Sequence, residues 1–201
     1  MATELEYKLQ LSTPDQMDQI LSSGIITDLL QKPLRELPME TTYYDNSHGH
    51  FSHLRWTLRQ RIEGSESVIC LKTPTGQAHS RNEWQVSASC LDENAILALI
   101  EAGAPKELLY YYSISPVKPI CGARFLRRCS MMVFSDGSVA ELAADRGEVF
   151  GPKGTLPILE LELELYHGKP DKMVRLAKAL CDTYGLKEQP KSKFSRAKTL
   201  Q

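Results

Sequence analysis

The sequence lacks both the paired cysteines of a zinc or redox motif and the even cysteine count of a disulfide framework. Its five cysteines are scattered, with no CxxC spacing between any two of them. Such a set is typical of reduced thiols that fill a core in a reducing compartment. We therefore exclude a disulfide-stapled fold and a structural zinc site, and we expect a cytoplasmic protein.

A long apolar run and an excess of charge of one sign are also missing. No stretch approaches the roughly 20 apolar residues that cross a bilayer, and the N-terminus has no basic segment followed by an apolar one. Lys and Arg number 24 and Asp and Glu number 25, so the formal net charge is −1. Because there is no net field, we expect neither nucleic acid nor a membrane as a partner, and any anion site must be local.

The composition is that of an ordinary globular domain. Of the 201 residues, 42% are hydrophobic and 24% are charged, which excludes disordered, collagen-like and low-complexity classes. No internal repeat and no linker divides the chain. We expect a single domain over residues 1–201, acting as a monomer or a homodimer.

Three segments have the start and stop signals of amphipathic helices. Thr13 can cap the first helix, Pro14 suits its first position, and Gly24 can end it. The second is predicted from Asp92, as cap, to Gly103, and the third from Pro170 to Gly185. These helices need an apolar surface to pack against.

Most of the remaining chain alternates polar and apolar residues with a period of two, which predicts short antiparallel strands. The first runs from Glu4 to Leu9. Further strand candidates lie near 40–45, 54–62, 67–73, 81–88, 124–134, 138–145 and 158–166. Residues 103–120 are expected to be a long connection, and the polar segment 187–201 fits a frayed tail as well as an ordered element.

One face of these strands is charged on strand after strand. The alignments are Glu4 with Glu6 and Lys8, Arg59 with Arg61, Arg81 with Glu83, Arg124 with Arg128, Glu141 with Asp145, and Glu160 with Glu162 and Glu164. An open sheet could turn this face to water. A sheet of such width also tends to curl, and closure would put the charges inside. Arginine forks grip phosphate oxygens and carboxylates hold Mg²⁺ or Mn²⁺, so a charged interior suits a metal-bound phosphate chain.

The motifs and their order resemble the triphosphate tunnel metalloenzymes, also called the CYTH superfamily, and most closely the bacterial inorganic triphosphatases. The segment from Glu4 to Lys8 is similar to the ExExK signature of that family. The matching features that follow are Thr42–Asp45, Leu58–Arg61, Leu71–Thr73, Arg81–Glu83, a basic strand at 124–128, Glu141–Gly147, Glu160 with Glu162, and the late Lys193 and Arg196. The resemblance extends from Glu4 to Arg196.

The resemblance implies an α+β fold in which a closed eight-stranded antiparallel barrel, with a charged interior, carries helices on its outside. It also implies an enzyme, a metal-dependent hydrolase that converts tripolyphosphate to pyrophosphate and phosphate with Mg²⁺ or Mn²⁺. The implied metal ligands are Glu4, Glu6, Asp145, Glu160 and Glu162. The implied substrate-binding residues are Lys8, Arg59, Arg61, Lys72, Arg81, Arg128, Lys193 and Arg196. The implied catalytic residues are Lys72, Arg59, Glu4 and Glu6.

Three positions depart from the family pattern. Gln85 stands where relatives often have a second acid, and Ala197 stands where Gly is common. Relatives carry Lys two residues beyond the Arg matched by Arg128, and this chain has Ser130. Arg124 and Arg127 leave the register of that strand open.

Other activities on the same scaffold remain alternatives. A class IV adenylyl cyclase would share the phosphate grip, although no purine pocket is evident in the sequence. A thiamine triphosphatase could stack its substrate on Trp56, although packing is the more common role of such a residue. A non-catalytic polyphosphate- or nucleotide-binding module would have a broken acidic end, whereas all five implied metal ligands are present.

Several polar or aromatic residues outside the matched motifs have simpler explanations. His48, His50 and His53 fit a mobile loop better than a metal site. The segment Tyr110–Tyr112 fits packing better than base stacking. Glu164 is expected at the rim of the tunnel. Glu141 could be a metal ligand or an ion-pair partner inside the tunnel, and both roles stay open.

Overall fold

The structure of the chain, a computed structural model, describes residues 2–76 and 80–201, with side chains from Leu5 onward. The strands are β1 (Ala2–Gln10), β2 (Arg35–Asn46), β3 (Thr57–Glu63), β4 (Glu66–Pro74), β5 (Ser80–Ser87), β6 (Val117–Val133), β7 (Val139–Gly151), β8 (Gly154–His167) and β9 (Lys187–Glu188). The helices are α1 (Pro14–Leu21), α2 (Gly24–Thr27), α3 (His50–His53), α4 (Glu93–Glu101), α5 (Glu107–Ser113), α6 (Asp171–Tyr184) and α7 (Lys193–Lys198). None of the described helices has the length and apolarity needed to cross a lipid bilayer.

The first eight strands close into an antiparallel barrel. Neighbouring strands follow the order β5-β4-β3-β2-β6-β7-β8-β1, and β1 also pairs with β5. That last pairing joins Ala2 to Glu83 and Leu5 to Ser80, while the other end of β1 pairs with β8 from Leu5 to Gln10. The predicted closed barrel of eight strands is confirmed, and the alternative of an open sheet is wrong.

Most apolar strand residues lie outside the barrel and meet the helices, as the sequence predicts, whereas Met39 and Tyr43 of β2 and Phe125 of β6 face the interior. One core cluster packs α1, α2 and α6 against β1, β7 and β8, and it contains Leu9, Ile20, Leu163 and Leu180. A second cluster packs α3, α4 and α5 against β3, β4 and β5. Because side chains alternate along a strand, burial of these apolar residues outside the barrel turns the intervening charged residues inward.

The helix caps follow the sequence signals. The backbone N–H of Gln16 donates to Thr13 Oγ1 at 3.2 Å, and that of Ala95 donates to Asp92 Oδ1 at 2.8 Å. Gly185 ends α6 with a φ of 67°, a left-handed conformation that favours glycine. The expectation for Gly24 is wrong, because α1 already ends at Leu21 and Gly24 begins α2.

Two segments that were expected to be irregular are ordered. The interval 103–120 contains α5 and the start of β6, so it is not a long loop. The histidine segment after β2, which was expected to be a mobile loop, contains the short helix α3. Asp45 holds this helix, because its carboxylate accepts hydrogen bonds from the backbone N–H groups of Phe51 and Ser52, both at 3.0 Å. Asp45 is buried and therefore anchors this turn.

The C-terminal segment is docked along its length, and the alternative of a frayed tail is wrong. β9 pairs with the end of β1, and the N–H of Gln189 donates to the carbonyl of Lys8 at 2.8 Å. Helix α7 lies against β6, β7 and β8. Beyond it, the N–H of Lys153 donates to the carbonyl of Leu200 at 2.9 Å.

The contact between β6 and β7 can be tested at Gly147, which lies opposite Phe125. A Cβ atom at this position would approach the Cα atom of Phe125 to 2.5 Å, so the two strands would have to separate. We expect Gly147→Ala to lower the free energy of unfolding by about 1–3 kcal/mol, measured by urea denaturation. Gly24→Ala is the control, since the nearest atom to its added Cβ would be 3.7 Å away. Equal stability of the two variants would contradict the close packing.

Candidate active site: a charged cavity inside the barrel

The barrel encloses a cavity of about 360 Å³ to which every one of β1–β8 and the start of α7 contribute. Charged side chains dominate its lining. They are Glu6, Lys8, Arg35, Arg59, Arg61, Glu63, Glu66, Lys72, Arg81, Glu83, Arg127, Glu141, Glu162, Glu164 and Lys193. The cavity therefore offers both a grip for an anion and oxygen ligands for a cation.

Four cations on three adjacent strands form one side of the cavity, which we call the basic wall: Arg59 and Arg61 of β3, Lys72 of β4 and Arg81 of β5. Their common orientation follows from the strand pairing, in which Lys72 lies opposite both Thr57 and Glu83. Arg81 is fixed by donating to the carbonyls of Arg55 at 2.8 Å and Lys72 at 3.2 Å. All four predicted phosphate-binding positions on these strands thus face one cavity.

Glu83 holds two members of the basic wall side by side. Its carboxylate lies 3.4 Å from Arg59 Nη2 and 3.2 Å from Lys72 Nζ, and it accepts a hydrogen bond from Cys70 Sγ at 2.9 Å. Burial would raise the pKa of Glu83, but Lys72 and Arg59 outweigh it and lower the pKa to about 2. Burial also raises the pKa of Cys70 to about 11, so this thiol stays protonated and can donate.

Carboxylates line the opposite side of the cavity, on β1, β8 and β7. Glu164 lies directly opposite Glu6 on one neighbouring strand and opposite Glu141 on the other. Burial raises the pKa of Glu141. Lys8 Nζ lies 3.2 Å from Glu6 Oε1 and 3.2 Å from Glu162 Oε1. Burial would lower the pKa of Lys8, but Glu162 and Glu6 outweigh it and the pKa is raised.

A second acidic group, which we call the buried cluster, consists of Asp145, Glu160 and Glu162. One carboxylate oxygen from each lies within 4.8 Å of the others. Lys193 Nζ contacts all three, at 2.6 Å from Asp145, 2.6 Å from Glu160 and 2.7 Å from Glu162. Arg127 donates to both oxygens of Asp145, at 2.8 and 2.7 Å, and also bonds Glu162. Cations therefore surround the cluster, and the buried Glu160 Oε1 forms its ion pair with Lys193 without a hydrogen bond.

The electrostatics of the buried cluster reflect these contacts. Burial would raise the pKa of Glu162, but Lys193, Lys8 and Arg127 outweigh it and hold the pKa well below its usual value. Burial would lower the pKa of Lys193, but Asp145 and Glu162 outweigh it and raise the pKa, so the ammonium keeps its proton. Burial raises the pKa of Glu160, against the opposing effect of Lys193.

The two acidic groups differ in how well they fit a divalent metal ion. Glu6, Glu162 and Glu164 present hard carboxylate oxygens to the cavity, which is the ligand type that Mg²⁺ and Mn²⁺ prefer. Asp145 and Glu160 do not line the cavity, and their side chains are 0% and 1% exposed. Glu6 and Glu164 lie outside the buried cluster and fit a metal. Glu162 belongs to both groups, and the buried cluster already holds an ammonium at its centre.

The structure gives mixed results for the sequence-predicted ligand and substrate residues. Glu6, Lys8 and Glu162 face the cavity as expected, while the side chain of Glu4 lies outside the described residues. Asp145 lies on the interior face of β7 as expected, but it does not line the cavity, because its side chain is buried behind Arg127 and Lys193. Arg196 does not line the cavity either, and it bonds Glu160.

The predicted orientation of Arg128 is wrong. Arg128 lies on the outside of the barrel, where its Nη2 donates to Asp18 of α1 at 2.7 Å. Arg127, one residue earlier, takes the inward position on β6. The physical reason is the alternation of the strand, which turns Phe125, Arg127 and Cys129 inward and the intervening residues outward.

Sequence reasoning missed Arg35, a cation of β2 that also lines the cavity. Arg35 lies opposite Cys129 of β6, and its Nε donates to Cys129 Sγ at 3.4 Å. A thiol is a weak acceptor, so this guanidinium retains donors for an anion. The available signal was the period-two spacing of Arg35, Leu37 and Met39, which precede the predicted strand 40–45. This spacing indicates that β2 begins earlier and that Arg35 also faces inward.

The residues considered for ring stacking or for a histidine metal site do not line the cavity. Trp56 packs edge-on against Tyr111 with ring centroids 6.0 Å apart. His50 Nδ1 lies 3.1 Å from Asn46 Oδ1, and its ring stacks with Tyr111. Among the residues that the structure describes, no histidine belongs to a group with metal-ligand geometry. Packing therefore explains this region, although Tyr110 itself is exposed.

Comparison with known proteins supports the barrel and its motifs. A family model described as the CYTH domain matches residues 2–197. A putative adenylyl cyclase from Hippeastrum, HpAC1, described as having a dominant triphosphatase activity, is similar in structure, with a TM-score of 0.64 and 17% identity over 98% of this chain and 95% of that one. The PH1819 protein from Pyrococcus horikoshii OT3 and a putative adenylate cyclase from Bacillus halodurans both give a TM-score of 0.56 over 96% of each chain, with 18% and 14% identity.

At these identities the structural likeness establishes the fold, and the family match extends over nearly the whole sequence. The match includes the strand that carries Glu6 and Lys8 and most of the helix that carries Lys193. By fold and by sequence, this chain belongs to the CYTH domain family.

Proposed function

We propose that the chain is a cytoplasmic enzyme that hydrolyses inorganic triphosphate, a small molecule, to pyrophosphate and phosphate. The observation that carries this proposal is the pairing of the basic wall with facing carboxylates in one cavity of about 360 Å³. This volume is at the small end of ligand pockets, which favours a compact anion. The members of the family are metal-dependent, and we propose Mg²⁺ or Mn²⁺ as the cofactor.

The basic wall supplies the phosphate grip in this proposal. Hydrolysis of a phosphoanhydride depends mainly on positioning and on neutralising charge, because negative charge spreads over the transferred group. Arg59 and Arg61 can each bind two phosphate oxygens, whereas Lys72 contributes a point charge. Glu83 keeps Arg59 and Lys72 in position before substrate binds, so little reorganisation is needed.

Glu6 and Glu164 are the residues that would hold the metal ion on the cavity side, and Glu162, which also belongs to the buried cluster, would join them by giving up its contact with Lys8. When bound, the ion would neutralise phosphate oxygens and lower the pKa of a coordinated water. Lys8 bridges Glu6 and Glu162 and so keeps these two carboxylates at a fixed separation. Lys72 is the cation of the basic wall that we propose as a positioning group for the attacking water.

An inorganic substrate is favoured because three of the four aromatic side chains in the described lining of the cavity, Tyr43, Phe125 and Phe194, are already engaged. Tyr43 packs on Phe194 with ring centroids 5.0 Å apart, and the Lys193 ammonium lies 4.9 Å above the Phe125 ring. Tyr166 is exposed and borders Glu164 and Glu141. A nucleobase or thiamine ring would thus find few free surfaces for stacking. The dominant triphosphatase activity described for HpAC1, a putative adenylyl cyclase, supports hydrolysis over cyclisation.

The substrate preference is testable with a panel of three triphosphates. We expect purified protein with Mg²⁺ or Mn²⁺ to release phosphate and pyrophosphate from tripolyphosphate at a kcat/KM at least about tenfold above that for ATP or thiamine triphosphate. Removal of divalent metal with a chelator should abolish turnover. Cyclic AMP as a product would indicate an adenylyl cyclase, and faster turnover of thiamine triphosphate would indicate that activity instead. Binding of tripolyphosphate without turnover would indicate a non-catalytic module.

The basic wall is testable with a pair of arginines that face opposite sides of the barrel. Arg59→Ala removes a charged hydrogen-bond partner of the phosphates, which typically costs about 1.5–3 kcal/mol. We expect kcat/KM for tripolyphosphate to fall roughly ten- to a hundredfold, with KM raised. Arg128→Ala is the matched control, because Arg128 bonds Asp18 outside the barrel and should leave both constants unchanged. Equal losses in the two variants would refute the assignment of the wall.

The cavity-side carboxylates are testable at Glu6. We expect Glu6→Gln to lower kcat by more than about tenfold at a limiting metal concentration, because a neutral amide is a weaker ligand for Mg²⁺. Excess metal should restore part of the loss. Glu148→Gln is the control, since Glu148 pairs with Arg124 on the outer face at 2.6 Å. A metal dependence identical to that of the unmodified protein would remove Glu6 from the metal site.

A further inference from the structure

The position of Lys193 within the buried cluster has a consequence for metal binding. Its ammonium donates a hydrogen bond to Glu162 Oε1 at 2.7 Å and forms ion pairs with one oxygen each of Asp145 and Glu160, both at 2.6 Å. These three residues are also the ones whose oxygens lie close enough together to hold an ion. The lysine nitrogen thus takes the place that a metal ion would need.

The charges of the buried cluster balance without a metal. Four cations are in direct contact with these three carboxyl groups: Lys193, Arg127, Arg196 and Lys8, of which Lys8 also contacts Glu6. Asp145 and Glu160 are shielded from water almost completely. A divalent ion added to this arrangement would introduce two uncompensated charges in a dry site, which is strongly unfavourable. The ion could bind there only if a cationic side chain left.

The capping and packing of α7 also fix the position of Lys193. Ser192 caps α7 by accepting from the N–H of Ser195 at 3.0 Å, and Phe194 packs on Tyr43. Ala197, one turn after Lys193, is fully buried. Displacement of the ammonium would therefore disturb the docking of α7 as well as the cluster.

We propose that Lys193 is the permanent cation of the buried cluster, and that Asp145 and Glu160 position α7 against the barrel and do not bind a divalent ion. Any metal binds on the cavity side. This inference rests on the proposed function only for the presence of a metal, and its test uses binding and stability without substrate.

The first test compares two lysines of the same helix. Lys193→Met leaves three buried carboxylates without their shared partner, so the Tm without metal should fall by at least about 5 °C. Mn²⁺ should then occupy the vacated position, raising the Tm of this variant more than that of the unmodified protein and adding one bound Mn²⁺ per chain in a titration. Lys198→Met, which removes an exposed charge, should change neither quantity. An unchanged Tm and Mn²⁺ stoichiometry in Lys193→Met would overturn the proposal.

The second test does not depend on the folding of that variant. Glu160→Gln keeps Lys193 in place and removes one carboxylate of the buried cluster but none of the cavity lining. We expect its Mn²⁺ dissociation constant, measured by isothermal titration, to stay within about twofold of the unmodified protein. A loss of affinity of tenfold or more would show that the buried cluster binds the metal and would overturn the proposal. Because no turnover is measured, a failure of the triphosphatase proposal would not alter either result.

Discussion

Ion pairing inside the closed barrel is the interaction on which the remainder of the structure depends. Apolar residues outside the barrel bind the helices, so strand alternation sends Glu, Lys and Arg side chains inward from every side. Buried charges are tolerated only when they are paired. The barrel meets this requirement by placing each bridging charge between two of the opposite sign. Lys8 lies between Glu6 and Glu162, and Glu83 lies between Arg59 and Lys72.

The pairing is uneven, and this unevenness defines the functional regions. At the buried cluster, Lys193, Arg127 and Arg196 contact the carboxylates, and Asp145 and Glu160 are shielded from water. Along the cavity, Arg61 pairs with Glu63 in contact with water, and Arg35 donates to the thiol of Cys129. A bound polyanion and its metal ion can exchange partners with such accessible pairs, whereas the buried cluster is closed to an added ion. The cavity is thus suited to binding and the buried cluster to holding α7.

Much of this arrangement could be predicted from the sequence, because period-two alternation of charge is a local signal that strand after strand repeats. The inward positions of Glu6, Lys8 and Arg59 follow directly from it, whereas that of Lys72 was implied by the family resemblance. The orientation of β6 could not be predicted, because it has cations on both faces: Arg127 on the inner face, and Arg124 and Arg128 on the outer one. The apolar neighbours of Arg127, Phe125 and Cys129, are also typical of a face that packs against helices. The role of the C-terminal segment was also hidden, because its docking rests on ion pairs such as Lys193 with Asp145, which are distant in sequence.

A crystal structure of the protein with Mn²⁺ and tripolyphosphate under conditions that suppress turnover tests the central claim most directly. We expect phosphate density against Arg59 and Lys72 and an anomalous Mn²⁺ signal beside Glu6 and Glu162 on the cavity side, with Lys193 still bound to Asp145 and Glu160. Phosphate density outside the barrel, or a Mn²⁺ signal between Asp145 and Glu160 with Lys193 displaced, would contradict it.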